Sequence, residues 1–162
     1  MVFCWLRARA PALRERHMDN NGFVAHASTT VMAPVSAVWD ALVNPAVIKQ
    51  YMFGADVISN WKEGTPIVWK GEWQGKRFED KGVILRVQPN RLLSYSHFSP
   101  LEGKPDMPDN YHIVTVELSE QPGGTQISLS QDNNGTAQTC EHSEKNWNMA
   151  LAGLKKVVEQ RV

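Results

Sequence analysis

One long amphipathic segment closes the chain, and the sequence before it is rich in strand and turn signals. Between residues 137 and 160 the apolar residues recur at spacings of three and four, the period of a helix with one apolar face. Such a helix is not stable alone in water, so its apolar face must pack on a sheet. The residues of that face are Trp147, Ala150, Leu151, Leu154, Val157 and Val158.

Two short helical segments follow the first predicted strand. Residues 23–32 alternate loosely and are rich in Val, Thr and Ala, which predicts a strand. Pro34 suits the first turn of a helix, and Asn44 ends that helix because a residue before proline avoids the α region. A second short helix is predicted over residues 45–51.

The middle of the chain predicts further strands joined by tight turns, which indicates an antiparallel sheet. With the first strand they make seven, so the fold class is α+β, with a curved sheet against the terminal helix. A hollow between the two is expected. The predicted strands cover residues 55–60, 66–73, 76–87, 91–98, 111–120 and 125–131, with a proline-rich loop at 99–110.

Length and composition exclude several classes of function. At 162 residues the chain predicts one domain over residues 18–162, and Arg-rich residues 1–17 predict a disordered or non-native extension. Equal numbers of basic and acidic residues, 17 each, give no basic field for nucleic acid, and no apolar run could span a membrane. Cys4 and Cys140 predict two free thiols, and therefore a reducing, cytoplasmic location. No metal-ligand cluster, phosphate loop or catalytic triad is present, so no metal, cofactor or catalytic residue is predicted.

Five segments follow one another along the chain: PVSAVWDALVNPAVIKQYM, WKEGTPIVWKGEW, KGVILRVQPNRLLSYSH, GGTQISLSQDNNG and NWNMALAGLKKVVE. Their order resembles the SRPBCC (START-like, birch-allergen-like) superfamily. More narrowly, it is similar to the branch related to the C-terminal domain of the activator of the heat-shock protein 90 ATPase. This resemblance implies the helix-grip fold, and it implies an apolar pocket rather than a particular reaction.

Two histidines are the first candidates for a site. If their strands pair antiparallel, His97 lies opposite His112, and Tyr95 lies opposite Val114. The two imidazoles would then lie at one end of the hollow, as polar contacts for a ligand or as a general acid and base. The alternative is a pair of rim histidines bonded to water or backbone. A register slip of one residue would turn both outward.

Tryptophans supply candidate walls for a pocket. Trp69 and Trp73 share one face of a predicted strand, where either a pocket wall or core packing is open. Trp147 lies on the terminal helix at helical spacing, which favours core packing. If Val83 and Leu85 face inward, Glu79 reaches the cavity as well. The predicted ligand-binding residues are Trp69, Trp73, Leu85, Tyr95, His97, His112, Val114, Trp147 and Leu151.

The sequence therefore favours a binding protein for a hydrophobic small molecule, such as a lipid-like or aromatic compound. One alternative is an enzyme of the cyclase, dehydratase or hydrolase type that uses the histidines, which is an analogy drawn from the fold. Another is a chaperone-associated module that binds a protein, and a homodimer also stays open.

Overall fold

The computed structural model describes residues 5–6 and 22–161. The extension predicted over residues 1–17 therefore lies mostly outside the described residues, and the single domain over 18–162 stays a prediction. The strands are β1 (Trp5–Leu6), β2 (Phe23–Val31), β3 (Asp56–Ile58), β4 (Pro66–Trp73), β5 (Lys76–Gln88), β6 (Leu92–His97), β7 (His112–Gln121) and β8 (Gly124–Asn134). The helices are α1 (Val35–Val43), α2 (Pro45–Tyr51) and α3 (Ala137–Glu159), with short 3-10 helices at Pro100–Glu102 and Pro108–Asn110.

All neighbouring strands are antiparallel, in the order β1-β2-β8-β7-β6-β5-β4-β3. Strands β2 to β8 are the seven that the sequence predicts, so the α+β fold class and the strand count are confirmed. The two-residue strand β1 adds to the free edge of β2, with Trp5 opposite Val24. The sheet is open, because β1 and β3 lie at its two edges.

The sheet bends where β5 passes from β4 to β6. Ile84 pairs with Tyr95 and Arg86 with Ser94, so Leu85 is an extra residue in a β-bulge. Next to it, Gly82 packs so closely on β6 that a Cβ atom would lie 1.7 Å from the Ser96 carbonyl oxygen. Only glycine allows this approach, and the bulge and the close contact together let the sheet curve around α3.

Helices α1 and α2 form the predicted pair after the first long strand. Pro34 precedes α1, and the Asn44 side chain accepts a hydrogen bond from the Ala46 N–H (3.1 Å) to cap α2. The Tyr51 hydroxyl donates to the Ala41 carbonyl oxygen (2.6 Å), which ties the end of α2 to α1. The predicted pair of short helices is therefore confirmed.

Helix α3 lies across the concave face of the sheet. Thr136 caps its first turn through a capping box with Thr139. Leu151, Leu154 and Val158 enter one core cluster with residues of α1, α2 and the strands. This confirms the predicted apolar face of the terminal helix. Among the helices of the described residues, none is long and apolar enough to cross a membrane.

Cys140 corrects one prediction. It is fully buried in the first turn of α3 and is disulfide-bonded, whereas the sequence interpretation took it as a free thiol. Cys4 lies outside the described residues. The sequence interpretation looked for a framework of several disulfides, and because the chain has too few cysteines for one, it took both cysteines as free thiols. A cytoplasmic location was inferred from free thiols, and it stays a prediction without that support.

Candidate functional site

A narrow apolar cleft lies between the concave face of the sheet and α3, with a cavity volume of about 50 Å³. Helices α2 and α3 form one side, and β4, β6, β7 and β8 form the other. A space of this size holds roughly three or four water molecules. The lining residues are Leu42, Ile48, Tyr51, Met52, Trp61, Ile67, Trp69, Leu93, Tyr95, Val116, Leu129, Trp147, Ala150, Leu151 and Leu154.

Tyr95 places a polar group on this apolar wall. Its ring packs against Trp69, with centroids 5.1 Å apart, and burial raises the pKa of its phenol, so the hydroxyl stays neutral. Among the described residues, no group forms a hydrogen bond with this hydroxyl. The hydroxyl oxygen is not among the fully buried side-chain atoms that lack a partner, so solvent reaches it. The Tyr95 hydroxyl is therefore available to a polar atom of a ligand.

Trp147 is held in place by the polar residues beneath it. Its indole N–H donates to the Gln131 side-chain oxygen at 2.6 Å, and the Gln131 amide in turn donates to Asn134 at 3.3 Å. Gln131 and Asn134 are both buried in β8. The indole thus presents a fixed apolar surface to the cleft, and its own polar atom is already satisfied.

A chain of rings and carboxylates continues from the cleft along the same face of the sheet. The His97 ring lies edge-on to Trp69 at 5.0 Å, and His97 Nε2 is 2.9 Å from Asp80 Oδ2. Asp80 lies directly opposite Trp69 on β5. Its second oxygen, Oδ1, is buried without a hydrogen-bond partner among the described residues. Together, Asp80 and His97 form a polar end wall beyond Trp69.

His112 forms the second carboxylate–imidazole pair. Its Nδ1 is 2.8 Å from the Asp132 carbonyl oxygen, and its Nε2 is 2.9 Å from Glu102 Oε1. A carbonyl oxygen and a carboxylate both only accept, so both ring nitrogens carry protons and His112 is an imidazolium. Burial opposes this charge, but the hydrogen bond and charge of Glu102 outweigh burial and raise the pKa of His112. The same pair lowers the pKa of Glu102, again against the effect of burial.

The predicted register is confirmed. His97 lies opposite His112, and Tyr95 lies opposite Val114. The two imidazoles are stacked with their centroids 6.4 Å apart, so the structure brings them together as expected. Neither of them lines the cleft, however, and Val114 is core.

Four of the predicted ligand-binding residues line the cleft: Trp69, Tyr95, Trp147 and Leu151. Trp73 and Leu85 do not. Trp73 lies at the end of the β4–β5 hairpin, 44% exposed, with its ring 5.5 Å from that of Phe53. Leu85 occupies the bulge and is 39% exposed, because the buried face of β5 belongs to Ile84. Both residues lie outside the cleft lining, and a role for them in ligand binding stays a prediction.

Sequence reasoning missed Asp80 and Glu102. The possibility that Glu79 reaches the cavity required Val83 and Leu85 to face inward, but both are exposed, and Glu79 instead pairs with Lys70 at the surface. Asp80 lies on the opposite face of β5 from Glu79 and therefore points inward. It shares that face with the buried Ile84, which was the available signal for its orientation. Glu102 lies in a loop, where no periodicity indicates which side chain returns to the sheet.

Within residues 5–6 and 22–161, no group of three His, Cys, Asp or Glu side chains could hold a metal ion. The two carboxylate–imidazole pairs are separate hydrogen-bonded contacts, His97 with Asp80 and His112 with Glu102.

The fold and the cleft define the class of protein. An antiparallel sheet curved around a C-terminal helix, with two short helices after the first long strand, is the helix-grip fold of the SRPBCC superfamily. Residues 32–159 match the family described as Activator of Hsp90 ATPase homolog 1-like protein. The chain belongs to this family, and the resemblance stated from the sequence is confirmed.

Solved structures support the same conclusion. A Cytophaga hutchinsonii protein, ChR145, is 55% identical in sequence with a TM-score of 0.75, over 85% of this chain and 94% of that one. Protein CV1439 from Chromobacterium violaceum is 20% identical with a TM-score of 0.74, over 84% and 96% of the two chains. The Aha1 dimer from Colwellia psychrerythraea is 17% identical with a TM-score of 0.66, over 84% and 96%. No curated protein matches the chain.

Proposed function

We propose that this protein binds an apolar small molecule, aromatic or lipid-like, in the cleft between the sheet and α3. The observation that carries the proposal is the Tyr95 hydroxyl, which lacks a hydrogen-bond partner among the described residues on an otherwise apolar wall. Ligand sites combine extensive apolar surface with a few polar groups that orient the ligand. Tyr95 supplies such a group, and the aromatic walls of Trp69 and Trp147 supply the surface.

The volume of the cleft sets a condition on this function. Small-molecule pockets usually measure about 300 Å³ or more, and this cleft measures about 50 Å³. Binding therefore requires lining side chains to move apart. Met52 and Trp61 are partly exposed, and the flexible thioether of Met52 adapts readily to different partners. Trp61 also has a left-handed backbone, with φ 59°, which bulky residues rarely adopt.

Co-purification tests the proposal. We expect a hydrophobic compound to be extracted from the purified wild-type protein, detected by mass spectrometry, and to be depleted in an Ala150→Leu variant. Ala150 is buried and lines the cleft, so a leucine there fills the ligand space. An Ala41→Leu variant is the control, because Ala41 is equally buried in α1 but outside the lining. Equal recovery from Ala150→Leu and wild type, or no cleft binding of any added apolar compound, would contradict the proposal.

The enzyme alternative receives less support from the geometry. It required His97 and His112 to open into one pocket, and neither lines the cleft. Each imidazole is also 2.9 Å from a carboxylate of the protein itself. While Asp80 and Glu102 occupy these positions, the cleft does not extend to either imidazole, so no substrate space lies beside the pair.

A protein partner is a second candidate function, favoured by the exposed edge of the sheet. Ile58 on edge strand β3 is 55% exposed, and Val83, which is 38% exposed, lies on the same face two strands away. Apolar side chains on an open edge favour association with another chain. Sedimentation analysis of wild type and Ile58→Lys tests this: self-association that the substitution abolishes supports it, and a monomer at all concentrations excludes a homodimer.

A further inference from the structure

The end wall beyond Trp69 contains a buried cation that belongs to the rigid sheet. The His112 side chain is only 6% exposed, and its Nδ1–H donates to the Asp132 carbonyl oxygen at 2.8 Å. This bond fixes the ring plane and leaves the Nε2–H as the one proton directed at another group. A buried charged donor requires an anionic acceptor, because an unpaired charge in a low-dielectric site is costly.

The anion that meets this cation comes from a separate and more exposed segment. Glu102 ends the 3-10 helix Pro100–Glu102, and its side chain is 36% exposed. Gly103 follows with a left-handed backbone, φ 73°, and the segment continues through exposed residues to Asn110. Because the Glu102 side chain reaches solvent, a rotation of that side chain is enough to take its carboxylate away from His112, whereas His112 is held within the sheet.

The pair is contiguous with the proposed ligand cleft. Trp69 lines the cleft and also contacts the edge of His97 at 5.0 Å, and His97 stacks on His112 at 6.4 Å. The rings lie on one face of β4, β6 and β7. Departure of Glu102 frees the Nε2–H of His112, and the packed rings of Trp69 and His97 then separate this donor from the cleft. A ligand that spans the cleft and the donor therefore requires the contact between these two rings to open.

We propose that this site binds the carboxylate of an apolar acid on His112, and that Glu102 is an internal carboxylate which the ligand displaces. The inference rests on the proposed function, because the apolar body of the ligand occupies the same cleft. A ligand carboxylate replaces the Glu102 carboxylate at the same donor, so no buried charge is left unpaired during the exchange.

Burial disfavours the His112 cation, and Glu102 is the main group that opposes this effect, so a ligand carboxylate has to take over the role of anionic partner. Asp132 on β8 faces it and also raises its pKa, while His97 on β6 lies against its ring. Asp80 on β5 is paired with His97 rather than with His112. The Glu102 carboxylate and the ligand carboxylate therefore exchange at one donor, the Nε2–H of His112. Binding of the acid is expected to weaken as the pH rises, because His112 then loses its proton.

The test compares 3-phenylpropanoate with 3-phenylpropanamide, which has the same shape without the charge, by NMR titration at pH 6. In Glu102→Ala, we expect the acid to bind about tenfold or more tightly than it binds wild type, because its internal competitor is gone. The amide is expected to bind both proteins equally. Glu120→Ala, which removes an exposed carboxylate from β7, is the control and should change neither affinity.

A second readout follows the His112 imidazole signals directly. In Glu102→Ala, the acid should raise the pH at which His112 titrates, and the amide should not. This measurement does not require a His112→Gln variant to fold. If the double variant Glu102→Ala/His112→Gln does fold, the gain in affinity for the acid should vanish in it.

The outcomes separate the two proposals. If the amide binds in the cleft but Glu102→Ala leaves the affinity for the acid unchanged, or raises both affinities equally, the carboxylate site is overturned and the proposed function stands. If the gain persists without His112, the assignment of the cation is overturned. If neither compound binds wild type or Glu102→Ala, both proposals fail.

Discussion

The phenols of Tyr51 and Tyr95, on facing walls of the cleft, differ in the hydrogen bonding of their hydroxyl groups. The Tyr51 hydroxyl donates to the Ala41 carbonyl oxygen at 2.6 Å, whereas the Tyr95 hydroxyl has no such bond among the described residues. Burial raises the pKa of both phenols, so neither ionises under ordinary conditions. Tyr51 therefore has a structural role, and Tyr95 has the polar atom that is left for a ligand.

Phenylalanine substitutions separate these roles. Tyr51→Phe should lower the free energy of unfolding by about 1 kcal/mol, because it removes a buried hydrogen bond. Tyr95→Phe should leave stability unchanged within about 0.5 kcal/mol, since no bond is lost, and should weaken ligand binding. Urea unfolding of both variants measures the difference. A larger loss of stability in Tyr95→Phe than in Tyr51→Phe would show that the Tyr95 hydroxyl is already bonded.

The Glu102–His112 pair predicts a pH-dependent stability. The raised pKa of His112 stabilises the fold fully below its ordinary value of 6.5, and this contribution is lost as the pH rises through the raised pKa. The lowered pKa of Glu102 stabilises above its ordinary 4.5, and this contribution is lost as the pH falls through the lowered pKa. The pair is therefore most stabilising between those two ordinary values.

Denaturation at several pH values checks this expectation. The difference in unfolding free energy between wild type and Glu102→Gln should be largest near pH 5.5 and smaller toward both pH 3 and pH 9. Glu120→Gln, at an exposed position on β7, should show no such maximum. A difference for Glu102→Gln that is constant across this range would contradict the imidazolium–carboxylate assignment.

At the level of residues, the sequence predicts what depends on strand alternation and misses what depends on loops. His97 and His112 could be placed on one face because the period of a strand is two, and their pairing is predicted on the condition that the two strands are antiparallel. The long loop between these strands carries no turn signal that sets the register. Their carboxylate partners could not be predicted. Asp80 required the correct parity of β5, and Glu102 reaches His112 from an irregular segment.

At the level of elements, β5 controls the curvature. Its first half pairs with β4, its second half pairs with β6, and Gly82 and the Leu85 bulge lie where the partner changes. Lys81 forms an isolated bridge with Phe98 on the other side of this close contact. The tight approach of β5 to β6 therefore depends on a single residue without a side chain.

Gly82→Ala should be strongly destabilising. The added Cβ would lie 1.7 Å from the Ser96 carbonyl oxygen, a backbone atom that cannot move without separating β5 from β6. We expect a loss of about 3 kcal/mol or more in unfolding free energy, or no folding at all. Gly135→Ala is the matched control, since its Cβ would meet nothing within 4 Å. Equal stability of the two variants would contradict this account of the bend.

The same segment explains why sequence interpretation placed Leu85 in the site. Val83, Ile84 and Leu85 are three consecutive apolar residues, so periodicity does not decide which of them faces the helix. The bulge makes a strict alternation fail at that point. By contrast, the bounds of α2 and β4 are predicted to the residue, because proline and glycine mark them clearly.

At the level of the whole molecule, the central question is how fully α3 fills the concave face of the sheet. Leu151 and Leu154 enter the core and also line the cleft, so the helix packs closely while leaving a narrow space. The order of elements could be predicted from turn signals and helical spacing. The width of this space could not be predicted, because it depends on how individual side chains pack. The disulfide at Cys140 depends on packing in the same way and could not be predicted either.

Two alanine substitutions test whether the space is real. Ala150→Leu should change the unfolding free energy by less than about 1 kcal/mol, because the added carbons enter the cleft. Ala41→Leu should cost about 1–3 kcal/mol, because Ala41 is buried in a packed region outside the lining. Thermal or urea unfolding compares them. An equal cost for both would indicate that the concave face is solidly packed.

The most direct test of the account is an NMR titration of wild type and Ala150→Leu with the neutral probe 3-phenylpropanamide. Saturable shifts of the indole N–H signals of Trp61, Trp69 and Trp147, absent from Ala150→Leu, are the result expected if the cleft opens to take an apolar molecule. Shifts that never saturate, that lie away from the cleft, or that persist unchanged in Ala150→Leu would contradict ligand binding between the sheet and α3.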